Sequence, residues 1–180
     1  GLSRAFPRSP IFNFDVYGKA NWSEPRDCDV VSGSFMLVRR EVIERAGILD
    51  TTFFMYGEET EWSHRIHAAG YRVRFYPGAK IVHLHRGSIK SDEMRWWARL
   101  CVQQSHLLFL KMKRGWAPAV AGSFLYANGE CLRAVVAAAR GAVGRDRGRW
   151  REALARLRIA GRHIRSALTL RWATPVPERS

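Results

Sequence analysis

The chain has 180 residues, an apolar share of 47% and a formal charge of +14, so it is long enough for a globular domain and too apolar for a disordered chain. Its three cysteines, Cys28, Cys101 and Cys131, contain no Cys-x-x-Cys pair, which argues against a zinc ribbon or redox motif and suits a reducing compartment. We find no apolar core of a signal peptide at the first residues, and no run that approaches the about 18 apolar residues of a membrane span.

In chain order, the first half predicts short strands alternating with short helices. The predicted elements are an irregular segment at 1–28, a strand at 30–39, a helix at 40–46, a turn at 50–52, a helix at 59–69, and strands at 71–76 and 79–84. Gly47 and Gly70 follow the two helices, as expected of C-terminal caps. Gly33 interrupts the first strand, which indicates either a bulge or the close approach of a ligand.

The second half predicts long basic helices at 94–112, 116–143 and 149–170. Residues 111–172 carry fourteen Lys or Arg against three Asp or Glu, whereas residues 1–90 carry thirteen against ten. The last helix combines an apolar stripe with a row of arginines: Trp150, Leu154, Leu157, Ile164 and Leu168, with Arg151, Arg158, Arg162 and Arg165. This pattern is typical of a solvated helix face or of a membrane-surface anchor, and nucleic acid is the least favoured anionic partner because interleaved exposed aromatics are missing.

An acidic pair, Glu58 and Glu59, opens the helix at 59–69 after the apolar run Phe53-Phe54-Met55-Tyr56-Gly57. The simplest interpretation is that these carboxylates offset the helix dipole. The apolar approach nevertheless predicts a partly buried site, where adjacent carboxylates raise the pKa of at least one of them and so make a usable general base. Glu61 lies one turn before Arg65, which predicts a salt bridge on the helix surface.

The histidines are harder to assign. His83 lies in an apolar run, where a lone histidine is more often a hydrogen-bonded core residue than a ligand, and His85 on the same face could share a metal with it. A helix and a return strand could bring Glu59 and His83, twenty-four residues apart, into one cleft. We interpret His64 and His67 as surface residues and assign no role to His106 or His163.

The stretch from Val30 to Ser88 resembles the C-terminal half of the catalytic domain of family 2 glycosyltransferases, particularly the bacterial rhamnosyltransferase-like branch. The matching motifs are, in order, Val31-Ser32-Gly33-Ser34, Arg39-Arg40-Glu41, Gly47-Ile48-Leu49-Asp50, Phe53-Phe54-Met55-Tyr56-Gly57-Glu58-Glu59, Arg65, Gly70-Tyr71-Arg72, Pro77-Gly78-Ala79, and His83 with Ser88.

The resemblance implies an α/β fold: a partial GT-A-like (nucleotide-diphospho-sugar transferase) domain without its N-terminal nucleotide-binding half, followed by a basic α-helical region. The boundaries we expect are 1–112 for the acceptor-side part of the catalytic domain and 113–180 for the helical extension. Asp27-Cys28-Asp29 has the form of the family's Asp-x-Asp, but it follows no apolar strand and lies too close to Glu59. We therefore expect a fragment or one half of a split enzyme, inactive alone.

The resemblance also implies roles for single residues. Glu59, which replaces the usual aspartate, would be the general base of an inverting transfer from a nucleotide-diphospho-sugar to a carbohydrate or lipid-linked glycan. His83 would be a ligand of a divalent metal, Mg²⁺ or Mn²⁺, and Gly33, Ser34, Glu58 and Trp62 would bind substrate. We expect residues 113–172 to hold the protein on the anionic inner face of the cell membrane, in the cytoplasm, for polysaccharide or cell-wall synthesis. The alternative is a non-catalytic basic helical module that binds anionic membrane or nucleic acid.

Overall fold

The computed structural model describes residues 22–82 and 91–173 of the chain. The elements of this part are β1 (Arg26–Cys28), α1 (Arg40–Ala46), α2 (Glu58–Ala68), β2 (Val73–Phe75), α3 (Asp92–Arg114), α4 (Trp116–Gly144) and α5 (Arg147–Thr169). The two strands pair antiparallel, with Asp27 opposite Arg74. The described part is therefore mostly helical with one small sheet, which agrees with a partial transferase domain but does not show the predicted GT-A sheet.

The strand predicted at 30–39 is wrong, and the strand predicted at 79–84 lies partly outside the described residues. Residues 30–39 form no strand, because the Ser32 hydroxyl bonds the amide and hydroxyl of Ser34 and bends the chain at Gly33. Residues 79–82 pair with no strand of the described part, and the rest of that predicted strand lies outside the described residues. In contrast, β1 lies in the segment predicted to be irregular, where Asp27 forms ion pairs across the sheet with two arginines of the β2 region.

The first core lies between α1, α2 and the sheet. It consists of the buried side chains Val42, Ala46, Trp62, Ile66 and Val73. The helix residues in this set are spaced four apart, so they line one face of each helix. Both helices were predicted, α2 from the spacing of Trp62 and Ile66, and both begin and end within one residue of the expected positions.

The second half folds as three packed helices, as predicted. α4 and α5 form a hairpin joined by Arg145 and Asp146, and Asp146 caps α5 by accepting a hydrogen bond from the amide of Gly148 at 2.7 Å. The residues buried along α4 and α5 are mostly small, which allows the helix axes to approach closely. They include Ala119, Ala127, Ala134, Ala137 and Gly141 on α4, and Ala153, Ala160 and Ala167 on α5.

A buried polar network ties the three helices together. Glu130 of α4 is fully buried and accepts hydrogen bonds from Arg99 and Gln103 of α3 and from Arg156 of α5. Gln103 also bonds the ring of His163, which is fully buried in α5, at 2.9 Å. Because the members of this network come from three helices, it fixes the alignment of α3, α4 and α5.

Most of the large apolar side chains of the hairpin face outward, with Ile159 as a buried exception. On α5 these are the five residues of the predicted stripe, Trp150, Leu154, Leu157, Ile164 and Leu168, all of them exposed. On α4 they include Leu125, Leu132, Val136 and Val143. In the part of the chain that the structure describes, none of the helices has the combination of length and apolar character needed to cross a bilayer.

Candidate functional site

The acidic pair lies at the end of a strained turn. Tyr56 has φ 65° and Gly57 has φ 91°, so two successive residues take the left-handed conformation directly before α2 begins at Glu58. This conformation is ordinary for glycine but costs about 1–2 kcal/mol for a tyrosine. Residues in such conformations persist where neighbouring groups hold them, and they cluster at functional sites. The turn therefore places Glu58 and Glu59 in a defined and strained position.

Gly33 lies against Glu59. A Cβ atom built on Gly33 would be 3.7 Å from Cβ and 4.0 Å from Cγ of Glu59, so these two predicted site residues share one place in the fold. Gly33 and Ser34 are exposed, and Glu59 is partly exposed. The predicted neighbour Ser34 belongs to the same turn, with its amide bonded to the Ser32 hydroxyl at 3.3 Å. A side chain at position 33 would pack against Cβ and Cγ of Glu59, where glycine leaves room.

Glu58 and Glu59 have different environments although they are adjacent. Burial, and less strongly the negative charge of Glu59, raise the pKa of Glu58, against a hydrogen bond from its own backbone amide that lowers it. The Oε2 atom of Glu58 is buried and has no hydrogen-bond partner among the described residues. A buried polar atom without a partner is uncommon and is characteristic of a site that receives a ligand, ion or water.

Trp62 is placed in the core. Its side chain is 8% exposed and its indole N–H donates to the carbonyl of Gly47 at 2.8 Å. Little of the Trp62 side chain is therefore exposed for the predicted contact with substrate. The side chain holds the end of α1 against α2.

Glu61 corrects one prediction. Its ion pair with Arg65 is present, at 2.7 Å, but Glu61 is buried and is not on the helix surface. A second partner comes from a distant helix, since the Lys113 ammonium of α3 lies 3.7 Å from the other Glu61 oxygen. Arg65 in turn donates to the carbonyls of Ala46 and Ile48, so the pair fixes the segment that follows α1.

The predicted metal ligand, His83, lies outside the described residues, as do His85 and Ser88. Among the residues that are described, no group of three or more His, Cys, Asp or Glu side chains is placed to hold a metal ion. The carboxylates of Glu58 and Glu59 are oxygen donors of the kind that Mg²⁺ and Mn²⁺ prefer, and one oxygen of Glu58 is without a partner. The donor chemistry next to the turn therefore fits a divalent cation.

Asp27, which the sequence analysis set aside, has a structural role. Its two oxygens lie 3.4 Å from nitrogen atoms of Arg72 and Arg74, respectively. These ion pairs support the two short strands, so the side chain is engaged in holding the sheet.

A contact of α3 with the strained turn was not predicted from the sequence. Ser105, which is fully buried, donates a hydrogen bond to the Met55 carbonyl at 3.3 Å. A Cβ built on Gly57 would lie only 2.9 Å from Cβ of Ser105, so the turn and α3 are in the closest contact that glycine allows. The one available signal was the polar triplet Gln103-Gln104-Ser105, which lies between Cys101-Val102 and the apolar run Leu107-Leu108-Phe109-Leu110.

The arrangement can carry proton transfer. Both carboxylates are partly exposed, but Glu58 has one buried oxygen and a raised pKa whereas Glu59 lies beside Gly33, so they are suited to separate roles in binding and in base catalysis.

Comparison with known proteins gives one match. A family model described as "Glycosyl transferase family group 2" matches residues 12–173, a span that includes the turn, the acidic pair and all three helices of the bundle. No curated protein and no solved structure matches the chain.

Proposed function

The chain belongs to glycosyl transferase family group 2, and from this we propose that it transfers a sugar from a nucleotide-diphospho-sugar to a carbohydrate or lipid-linked glycan, with inversion and with Glu59 as the general base. The observation that carries the proposal is the contact between Gly33 and Glu59 at the strained turn. Glycine at position 33 leaves room beside the Glu59 side chain, which supports the approach of an acceptor hydroxyl to this residue.

In the proposed reaction the Glu59 carboxylate takes the proton of the acceptor hydroxyl. The acceptor oxygen then forms a bond to the anomeric carbon while the bond from that carbon to the diphosphate oxygen breaks, and the diphosphate leaves with the electron pair. A sugar hydroxyl is a poor nucleophile, so a base within hydrogen-bond reach lowers the barrier. Glutamate has one methylene more than the usual aspartate, and the left-handed turn before α2 sets how far this longer side chain reaches.

The remaining predicted site residues would act in binding. Glu58 has an unpartnered oxygen that can accept a hydrogen bond from a substrate hydroxyl, and Gly33 and Ser34 would border the substrate on the opposite side. Trp62 would act by holding α2 in place, since its N–H is bonded to Gly47.

Members of this family commonly use a divalent metal. We propose that His83 holds this metal, Mg²⁺ or Mn²⁺. When bound, the cation would neutralise negative charge on the departing diphosphate. The residues of this chain would orient the acceptor and receive its proton.

The test is sugar transfer by the full natural protein that carries these residues. Release of nucleoside diphosphate is measured from a panel of UDP-, GDP- and dTDP-sugars, with a membrane lipid extract as acceptor. We expect Glu59→Gln to lower the rate by roughly 100-fold or more, because general-base catalysis contributes about 10²–10⁴-fold. The matched control is Glu93→Gln, which also removes a carboxylate from the first turn of a helix and should keep the rate. Equal rates for wild type and Glu59→Gln would remove the proposal.

We further propose that the hairpin of α4 and α5 rests on an anionic membrane surface. Each arginine of the α5 row directly follows a position of the apolar stripe or of its continuation, so it lies about 100° around the helix from it. The triplet His163-Ile164-Arg165 illustrates the order, with a buried residue, an exposed apolar residue and an exposed arginine in succession. α5 thus shows an apolar stripe between its buried face and its arginines, which is the pattern of an interfacial helix.

The charge of the hairpin supports the same partner. Its three acidic side chains are all engaged: Glu130 with Arg99 and Arg156, Glu152 with Arg149 and Arg156, and Asp146 at the cap of α5. The surface that remains available combines apolar side chains with unneutralised arginines. An anionic bilayer satisfies both, since headgroups attract the arginines and the acyl boundary receives the stripe. This location, the inner face of the cell membrane, suits a lipid-linked acceptor.

Flotation with lipid vesicles tests this second proposal. We expect binding to vesicles that contain phosphatidylglycerol and little binding to pure phosphatidylcholine. Changing both Arg158 and Arg162 to Gln should weaken binding about 30-fold, because each basic side chain near the surface contributes about 1 kcal/mol. The control changes Arg39 and Arg40, which pair with Glu41 and Glu44 on α1, and removes the same charge. Salt-dependent binding to DNA without vesicle binding would favour the non-catalytic nucleic-acid module instead.

A further inference from the structure

One face of α3 contacts the strained turn before α2 and two side chains of α2. The residues of this face are spaced at multiples of four, and each meets a different part of the acidic segment. Trp97 contacts Phe54 edge to face at 6.0 Å, and Ser105 bonds the Met55 carbonyl. The two residues that continue the face, Phe109 and Lys113, lie 5.8 Å from the ring of His64 and 3.7 Å from the carboxylate of Glu61, respectively.

Ser105 is the contact nearest to the proposed base. Its hydroxyl holds the carbonyl directly before Tyr56, and its Cβ limits position 57 to glycine. Tyr56 and Gly57 are the residues of this turn with positive φ, so Ser105 contacts the strained turn at both ends. Strained backbone is retained only where surrounding contacts over-determine it, and Ser105 supplies two of those contacts.

The other face of α3 is fixed in the helical bundle. Arg99 and Gln103 reach Glu130 of α4, and Gln104 bonds both His163 and Ser166 of α5. An apolar cluster continues this connection, because Phe53 of the turn packs with Leu107 and Leu108 of α3, Ala119 of α4, and Trp172, which follows α5. The contacts therefore cross the boundary at 112/113 that the sequence suggested, and they link the turn to the last described helix.

We infer that Ser105 is a positioning residue for Glu59. The helical bundle is then the scaffold that holds the strained turn at Tyr56 and Gly57, and not an appendage to it. The inference rests on the proposed role of Glu59 as base. A base works only within hydrogen-bond reach of the acceptor hydroxyl, and a displacement of about 1 Å costs roughly 100-fold in rate. Glu59 follows the turn by two residues, so a shift of the turn moves its carboxylate directly.

The experiment compares two serines of the bundle. Ser105→Val replaces the hydroxyl by methyl groups against Gly57, whereas Ser166→Val makes the same change at a buried serine that faces Gln104. Both serines donate one hydrogen bond of 3.3 Å, so the local cost to the fold is matched. The full natural protein is assayed for nucleoside diphosphate release from the same UDP-, GDP- and dTDP-sugars, and its melting is followed by circular dichroism.

We expect Ser105→Val to lower kcat by roughly 10- to 100-fold with the KM for the nucleotide sugar unchanged, because Glu59 moves while the donor site does not. Ser166→Val should destabilise the protein to a similar degree and leave kcat unchanged. Ser105→Ala keeps Cβ and removes only the hydrogen bond, so it should fold and show a smaller loss of kcat. If Ser105→Val does not fold, Ser105→Ala decides the outcome.

A second variant isolates the close contact. Gly57→Ala places a methyl group against Ser105, and adding Ser105→Gly removes the atom it meets. The double variant should recover part of the kcat that Gly57→Ala loses. Wild-type kcat in both Ser105 variants, beside an inactive Glu59→Gln, would overturn the positioning role and leave the base assignment intact. An equal loss of kcat in Ser166→Val would overturn it too, whereas full activity of Glu59→Gln would instead remove the proposed function.

Discussion

The buried carboxylate of Glu130 should be a principal source of stability for the helical bundle. Glu130→Ala leaves Arg99 and Arg156 without their shared partner, and Arg156 is only 13% exposed. Removing one member of a buried ion pair costs about 3–5 kcal/mol. Partial solvation of Arg99 places the expected loss near the lower limit, at about 3 kcal/mol, which lowers the melting temperature by roughly 6–12 °C for a protein of this size.

The matched variant Glu130→Gln separates charge from shape. Glutamine keeps the volume and one acceptor oxygen, so we expect a smaller loss of about 1–3 kcal/mol. Burial on its own raises the pKa of Glu130, but hydrogen bonds from Gln103, Arg99 and Arg156 together with the charge of Arg99 outweigh it and hold the pKa below its ordinary value. The carboxylate is therefore ionised at neutral pH, and its contribution to stability is lost only as the pH falls through the lowered pKa.

Urea unfolding followed by circular dichroism at about pH 7 measures both variants. The expected order of stability is wild type, then Glu130→Gln, then Glu130→Ala. A change of less than about 1 kcal/mol for Glu130→Ala would refute the reasoning, because surface ion pairs contribute only that much. It would mean that water reaches the arginines and that the network does not hold α3, α4 and α5 together.

Three further predictions concern single residues. Burial lowers the pKa of His163 to about 4, against the charge of Glu130 that raises it, whereas an unfolded histidine titrates near about 6.5. The unfolded state therefore binds more protons between these pH values, so the free energy of unfolding falls as the pH falls through that window. His163→Gln should reduce this pH dependence, which urea melts at about pH 7 and about pH 5 measure. Gly33→Val fills the space beside Glu59 and should lower the rate of sugar transfer by roughly 10-fold or more. The urea midpoint should change little because position 33 is exposed. An unchanged rate would show that substrate does not use this space. Trp62→Phe removes the bond to Gly47 and should cost about 1 kcal/mol of stability with the KM for the donor unchanged, and a raised KM would restore a direct substrate contact.

Local patterns in the sequence predicted the helices well. α1, α2 and the three bundle helices follow apolar spacing, and glycine or capping residues define their ends, so they begin and end within two residues of the expected positions. The acidic pair was also recognisable, because Glu58 and Glu59 follow an apolar run and a glycine.

Features that depend on distant residues could not be predicted in the same way. The strand predicted at 71–76 is confirmed by β2, but its partner β1 lies in a segment that was predicted to be irregular, so the pairing of Asp27 with Arg74 was not predicted. Glu61 is buried because Lys113 reaches it from α3, and the sequence near Glu61 shows only its partner Arg65. His163 had no acidic neighbour in sequence, yet the fold places it in the network of Glu130. In each case the deciding contact comes from another element.

The run from Val30 to Arg39 shows a different limit. Its apolar content is typical of a strand, and side chains such as Val31, Met36 and Val38 do pack on the first core. The serine hydroxyls nevertheless satisfy the backbone locally and turn the chain, which brings Gly33 to Glu59. Apolar content alone therefore predicted the core contacts of three side chains but not the exposure of Phe35 and Leu37 or the secondary structure.

We propose that Glu59 and His83 line one binding site, which receives the diphosphate of the donor. Crystals of the full natural protein grown with Mn²⁺ and a nucleoside diphosphate test it directly, because anomalous diffraction locates manganese. We expect the manganese peak in coordination contact with the His83 ring and the phosphates on the side that the Glu59 carboxylate faces. A peak remote from His83, or carboxylate and imidazole groups that point to opposite sides of the molecule, would contradict the account.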